Sequence, residues 1–398
     1  MNPIFSVGIY VIWQLIVMAL IGWCIEPRKL VRRSKKRRGA LCFAAIVYIV
    51  LSLLPVMGAF IPDSPVKFRL QAAGNIWLGF VIYFNNFLLI LCLILEIVRL
   101  ISRRTGKGIP HLTALVISLA GGLILLGYGM KHAQDTVVTE FDITMEKSAG
   151  EYSDLDVVLI GDLHLSVNSH LSTIERMVEL INEQDADAVV IAGDIFTSSY
   201  EGLKDSDKYA AVLRGIQSKY GVYAVYGNHD VEETLFGGFP ISPISEAFRT
   251  KEMEQFFEEC NFTVLYDETV SIADGNVQIT GRIDGEKAGD GTTNRKSPEE
   301  VLKDTDPEKP VLVLQHEPVE FAELKKYGAD LALCGHTHAG QIFPGNLIVP
   351  FFNENAYGYK EVGGLDTIVT SGVGYYGPPM RVGTDSEVAV VHLHFKKG

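Results

Sequence analysis

Acidic, amide and imidazole side chains recur in five short blocks, each directly after an apolar run that reads as a buried strand. Residues 157–160 run into Gly161-Asp162-Leu163-His164, and residues 188–191 into Gly193-Asp194. Val222–Val225 leads into Gly227-Asn228-His229-Asp230, Val311–Leu314 into His316, and residues 331–333 into Gly335-His336-Thr337-His338. Ligands of open α/β sheets bind outside the carboxyl ends of the strands. Five converging ends would gather three carboxylates, one amide and five imidazoles. Such oxygens and nitrogens suit first-row divalent ions such as Mn, Fe, Co or Zn. So many of them in one pocket need positive charge, which two ions supply. Asp-x-His and His-x-His put alternate side chains on one side of an extended segment, and the preceding glycines let the backbone turn sharply. Singly, Asp162-x-His164 reads as well as a strand-end turn, and Gly193-Asp194 and His316 read better as a turn and a core or surface histidine, while Gly335-His336-Thr337-His338 is the strongest single block; the order and the shared strand-end placement carry the argument.

The elements that must hold these blocks are readable from periodicity. Strands at 156–160, 188–191 and 222–225 alternate with helical spacing at Leu171–Asn182, 209–219 and 246–260. Further strands follow at 264–266, 277–280, 311–314, 331–333, 367–370 and 388–394. Residues 131–153 read as a polar connector in which 136–143 alternates enough to form a first strand. The expectation for residues 154–398 is an α/β domain of two packed sheets with helices outside.

Residues 1–130 are of a different kind. Four charge-poor apolar stretches, at residues 4–25, 40–61, 75–98 and 112–130, are long enough for a bilayer crossing, which takes about 20 residues. They predict a four-helix transmembrane domain. The first lacks a basic leader and a small-residue cleavage site, so it is expected to stay uncleaved. Lys and Arg crowd the segments after the first and third stretches. The positive-inside rule puts those loops in the cytoplasm and the rest of the chain, residues 131–398, on the extracellular side of the cell membrane. The net charge of −13 divides into +11 for residues 1–130 and −24 for residues 131–398. So acidic a half repels a nucleic-acid backbone, and no nucleic-acid partner is expected. Five cysteines make no disulfide framework; Cys260 and Cys334 read as buried free thiols.

Asp-x-His, Gly-Asp, Gly-Asn-His-Asp, His and Gly-His-x-His in this order resemble the calcineurin-like metallophosphoesterase superfamily over residues 154–395. The Gly-His-Thr-His-x-Gly-Gln-Ile run at 335–342, with Ser371-Gly372-Val373-Gly374 and the 379–383 segment, is similar to its YkuE/YaeI-like bacterial membrane-associated branch. The resemblance implies a calcineurin-like two-sheet sandwich flanked by helices. It also implies two divalent ions, one held by Asp162, His164, Asp194 and His338, the other by Asp194, Asn228, His316 and His336. Asp194 would bridge them together with a water. His229 would contact the phosphate and protonate the leaving oxygen, with Asp230 orienting it. Two cations lower the pKa of the shared water, so hydroxide attacks phosphorus in line with the leaving group.

The sequence departs from the family pattern at Thr197, where Asp or Arg is often found, and at Ser386-Glu387, where Pro-Glu is common. Three features have competing readings. The 236–241 stretch is either an apolar lip for a lipid tail or a self-packed loop. Tyr375 to Pro378 either borders the pocket or forms a buried turn. Arg381 either meets a substrate phosphate or makes a surface ion pair. The expected function is that of a membrane-anchored phosphoesterase acting on a phosphoester substrate of the envelope, lipid-linked ones included. The rival is a four-helix sensor or transport protein whose outer domain only binds a ligand. The apolar stretches carry almost no charge that could form an ion path.

Overall fold

The computed structural model describes residues 3–25, 35–101, 111–236 and 239–397. It divides into two compact units. One holds Met1–Met130 with Thr234–Ile241 and Gly377–Pro379; the other holds Lys131–Glu233, Ser242–Tyr376 and Met380–Gly398.

The first unit is helical. Its helices are α1 (Pro3–Ile25), α2 (Lys35–Met57), α3 (Pro65–Ile101) and α4 (His111–His132). Among the described residues, α3 and the Leu112–His132 part of α4 are long and apolar enough to cross a membrane. Gly8–Cys24 and Cys42–Met57 are shorter apolar stretches, so the expected set of four membrane-length helices is met by two. The helices pack through Val17, Tyr48, Phe80, Phe84 and Leu88. Within that apolar interior hydrogen bonds join Gln14, Tyr48 and Asn85. The Tyr48 hydroxyl donates to the Gln14 side-chain oxygen and lies 3.1 Å from Asn85 Oδ1. The basic residues at 28–33 and 103–107, which underlie the orientation reading, lie outside the described residues, as do Gly237 and Gly238 of the 236–241 stretch.

The second unit is a four-layer sandwich. Its strands are β1 (Thr136–Met145), β2 (Asp154–Ile160), β3 (Ala188–Ala192), β4 (Val222–Val225), β5 (Thr263–Val264), β6 (Glu268–Ile272), β7 (Val277–Gly281), β8 (Val311–Leu314), β9 (Leu331–Cys334), β10 (Gly358–Val362), β11 (Leu365–Val369) and β12 (Ser386–Phe395). One sheet has the order β1-β12-β2-β3-β4-β5, the other β10-β11-β9-β8-β7-β6. Alternation along the strands makes the layers. Val157, Leu159, Val190, Leu312, Leu314 and Leu333 face the other sheet and form the central core. Val158, Ile160, Val189 and Ile191 face the other way, onto α5 (Leu171–Asn182), α6 (Ser206–Leu213) and α7 (Lys251–Glu259). Val311 and Val313 likewise pack on α8 (Pro298–Leu302) and α9 (Phe321–Lys326). Because both faces of the central strands are buried, they read as unbroken apolar runs.

Local chemistry explains where the elements depart from the periodicity. Residues 131–153 include β1, which pairs in parallel with β12 over its whole length. Helix α6 ends before 219 because the chain turns off at Gly215, where a Cβ would lie 2.9 Å from the Val212 carbonyl oxygen. Helix α7 starts at Lys251, not 246, because the Thr250 hydroxyl accepts the Met253 N–H as an N-cap. β2, β3 and β4 run parallel, and so do β8 and β9. The five carboxyl ends that precede the ligand-type blocks meet at one edge of the sandwich, where side chains from both sheets come into contact.

Candidate metal centre

Three of the five blocks turn away from their strands through left-handed residues. Asp162, His164, Asp194, His336 and His338 have φ of 52°, 46°, 54°, 77° and 50°. Non-glycine residues pay about 1–3 kcal/mol for such a conformation and hold it only where the surroundings over-determine it. Here they do. The Asp162 N–H donates to Gly193 O and the His164 N–H to Asp194 O. The His336 N–H donates to the Asp162 carboxylate at 3.0 Å. A Cβ on Gly227 would lie 2.2 Å from Asp194 Oδ1, so the third block can approach the second only with glycine there.

The result is one buried nest. Ligand atoms of Asp162, His164 and His338 lie within 4.8 Å of one another, as do those of Asp162, Asp194 and His316. His164 Nε2 and His338 Nε2 are 2.9 Å apart. Asp194 Oδ2 lies 3.5 Å from His164 Nε2 and 3.2 Å from His316 Nε2, between the two groups. Asn228 Oδ1 is 3.0 Å from His316 Nε2 and 3.3 Å from His336 Nδ1. Its amide donates to Glu286 at 3.2 Å, which turns the oxygen toward the cluster. Asp162 thus belongs to both groups, whereas the sequence reading gave it to one ion.

The tautomer and protonation of each ring decide which of these contacts carries a proton. His316 Nδ1 donates to the Ala192 carbonyl at 2.7 Å, so in the neutral ring Nε2 is a lone pair aimed at two oxygens. Burial pushes His164 and His336 down to about 3 and His338 well below its ordinary value; these rings are neutral and offer lone pairs. His338 Nδ1 is buried with no hydrogen-bond partner. Burial also raises Asp162 and Asp284 to about 7. Asp194 goes the other way: burial opposes its charge, but His316, His229 and His164 outweigh it and hold it well below the carboxylate range. Burial likewise opposes charge on His316, yet Asp194, Asp162 and Asp284 hold it well above its usual value. Among the protein groups alone, a proton on His316 is the compensating charge. A pair of divalent cations fits the same donor set.

His229 stands beside this nest, its ring stacked on Tyr376 at 4.5 Å and 5.5 Å from His164. Among the described residues, no hydrogen bond joins the His229 ring to the carboxylate of Asp230, the expected orienting partner. The Asp230 carboxylate accepts the N–H groups of Asp194, Phe196 and Gly227 at 2.8–2.9 Å, so it pins two loops together. His229 Nδ1 meets Ser198 Oγ at 2.9 Å and Glu233 Oε1 at 3.3 Å. Ser198 donates to the same Glu233 oxygen at 2.7 Å, and Lys287 Nζ lies 2.7 Å from Glu233 Oε2. Sequence reasoning missed all three; Glu233 lies four residues past His229 but outside any block. Arg381 meets neither expectation. It is fully buried and donates to the carbonyls of Ser371, Gly372, Gly374 and Asp385. It therefore clamps the glycine-rich loop against Asp162, where a Cβ on Gly372 would lie 2.5 Å from the Asp162 Cβ. Tyr376 borders the nest, as one reading of residues 375–378 anticipates. Thr197, the departure from the family pattern, lies 3.2 Å from His164 Nδ1.

A profile of the family described as calcineurin-like phosphoesterase matches residues 155–340. A Helicobacter pylori protein named as a metallophosphoesterase is 31% identical over 300 residues, which cover 73% of this chain and 72% of that protein. A zebrafish (Danio rerio) transmembrane protein with metallophosphoesterase domain is 27% identical over 98% of this chain and 87% of its own length. The metallophosphoesterase YkuE of Bacillus subtilis is 27% identical over 74% of this chain and 98% of its own.

Proposed function

Because the chain belongs to the calcineurin-like phosphoesterase family and is a metal-dependent hydrolase of phosphoesters, we propose that it uses a dinuclear centre in the nest described above. One ion is held by Asp162, His164, Asp194 and His338, the other by Asp194, Asn228, His316 and His336, with Asp194 shared. The observation that carries this is the His316 ring. Its Nδ1 proton is committed to Ala192 O, while Nε2 faces Asn228 Oδ1 and Asp194 Oδ2 at 3.0 and 3.2 Å. When bound, the ions supply Lewis-acid charge that activates a water and neutralises phosphate oxygens.

The chain's own groups then manage the leaving group. His229 holds a proton for the departing oxygen. Ser198 and Glu233 bind its Nδ1 side and stabilise the charged ring. Burial opposes charge on Glu233, but His229 and Lys287 outweigh it and keep the carboxyl below its ordinary range. Glu233 thereby takes the orienting role that sequence assigned to Asp230.

The helices anchor this centre to a membrane. Four spans with the basic loops inside and residues 131–398 outside the cell give access to envelope phosphoesters, including lipid-linked ones. This reading is supported by two membrane-length helices and by the zebrafish relative's description as a transmembrane protein. Added protease should cleave within residues 131–398 on intact cells; protection there, with cleavage only after lysis, reverses the orientation.

Metal analysis and a set of phosphoester substrates test the centre. The wild-type chain should retain two divalent ions and hydrolyse phosphoesters. Asp194→Asn should lose bound metal and more than about 100-fold in activity; equal activity in the two contradicts the shared role. In Glu233→Gln, kcat on alkyl esters, whose leaving oxygen needs a proton, should fall about 100-fold or more, with KM nearly unchanged. Activated aryl esters should be spared; an equal loss on both classes contradicts a leaving-group role.

A further inference from the structure

The segment after His338 inverts the usual sorting of side chains. From Ile342 to Phe352 it carries no charged residue, and it makes two short helical turns, Gly345–Ile348 and Val349–Phe351. Phe351 and Phe352 are 84% and 81% exposed, with Leu347 and Ile348 exposed beside them. The polar side chains turn to the backbone instead. Gln341 is buried and donates to the Tyr376 carbonyl at 3.1 Å. Asn346 donates to Gly383 O and Asn353 to Val349 O, both at 3.1 Å. Gly345 crosses Gly340 so closely that a Cβ would lie 2.3 Å from the Gly340 carbonyl oxygen. The backbone is thus fixed by polar contacts and close packing while the apolar side chains point outward. An apolar patch on a well-anchored frame marks an interaction surface.

What it meets is indicated by where the chain enters this unit. Leu112–His132 is long and apolar enough to cross a membrane, and the sandwich unit begins at Lys131. His132 Nε2 lies 2.9 Å from a carboxylate oxygen of Asp385. The two residues before Asp385 hold the apolar segment: Thr384 donates to Gln341 O at 2.8 Å, and Gly383 accepts from Asn346. Three consecutive residues therefore join the end of a candidate span to the patch. Exposed Tyr357, Tyr359 and Lys360 follow the segment. Aromatic residues with a polar tip and lysines are characteristic of the headgroup level, with Phe and Leu below it.

We propose that residues 342–352 seat in the interface of the bilayer that α4 crosses, with Leu347, Ile348, Phe351 and Phe352 below the headgroups. The strand end that bears His336 and His338 is then held at the lipid surface, and a phosphoester carried by a lipid needs no extraction into water. The proposal rests on the membrane-spanning reading of the helices and is independent of the metal roles.

The full chain, reconstituted in vesicles of phosphatidylethanolamine and phosphatidylglycerol, provides the test. Of its cysteines Cys42 is exposed and the other four are buried, so a spin label can be placed at Phe352→Cys in a Cys42→Ser background. Lys204→Cys, whose side chain is 90% exposed, serves as the water-facing reference. The Phe352 label should collide several-fold more often with lipid-soluble oxygen than with a water-soluble nickel chelate, and the Lys204 label should do the reverse. Nickel access at Phe352 equal to that at Lys204 overturns the proposal. So does protection from both relaxers, which is the signature of a protein partner or a second copy. Release of the chain from membranes by alkaline carbonate overturns the spanning reading and the proposal with it. Resistance to carbonate together with nickel access overturns the proposal alone.

Discussion

Buried lone pairs that face one another repel unless positive charge lies between them, and this constraint organises the sandwich. Asp194 Oδ2, His164 Nε2, His316 Nε2 and Asn228 Oδ1 point inward within a few ångströms, with few protons to share. A proton on His316 meets the need in part. A pair of divalent cations suits the residue types found at the five strand ends.

Holding such groups together is costly, and the surrounding structure is built to offset the cost. Left-handed backbone at five of these residues is fixed by hydrogen bonds between neighbouring loops and by glycines where loops nearly touch. Asp230 gathers three N–H groups, and Arg381 gathers four carbonyls. Glu286 fixes the Asn228 amide, and Glu233 with Ser198 fixes His229. Around the nest lies a shell of charged and polar groups that hydrogen-bond its members.

The sequence made the sandwich readable because the central strands are buried on both faces and appear as short apolar runs. The ligand-type blocks stood out because each follows such a run, and the strands that carry them run parallel within their own sheets. What stayed hidden depends on long-range packing. Glu233 reaches His229 only because the chain after Asp230 curls back, and Lys287 arrives from 54 residues away. Arg381 looked like a substrate contact or a surface pair, since its side chain gives no hint that a glycine-rich loop will wrap it. Apolar length alone suggested four membrane helices; two of that length are found among the described residues. The displayed Phe351 and Phe352 were invisible for the opposite reason. Apolar residues in a run suggest a core, and only the fixed backbone reveals that they face outward.

The central claim is that a pair of cations occupies the space between Asp194 and the imidazoles. Anomalous diffraction from crystals grown with manganese tests it most directly. Two peaks about 3.5–4 Å apart should appear, one beside His164 and His338, the other beside His316 and Asn228, with Asp194 touching both. A single peak, or metal bound away from these side chains, would contradict the account.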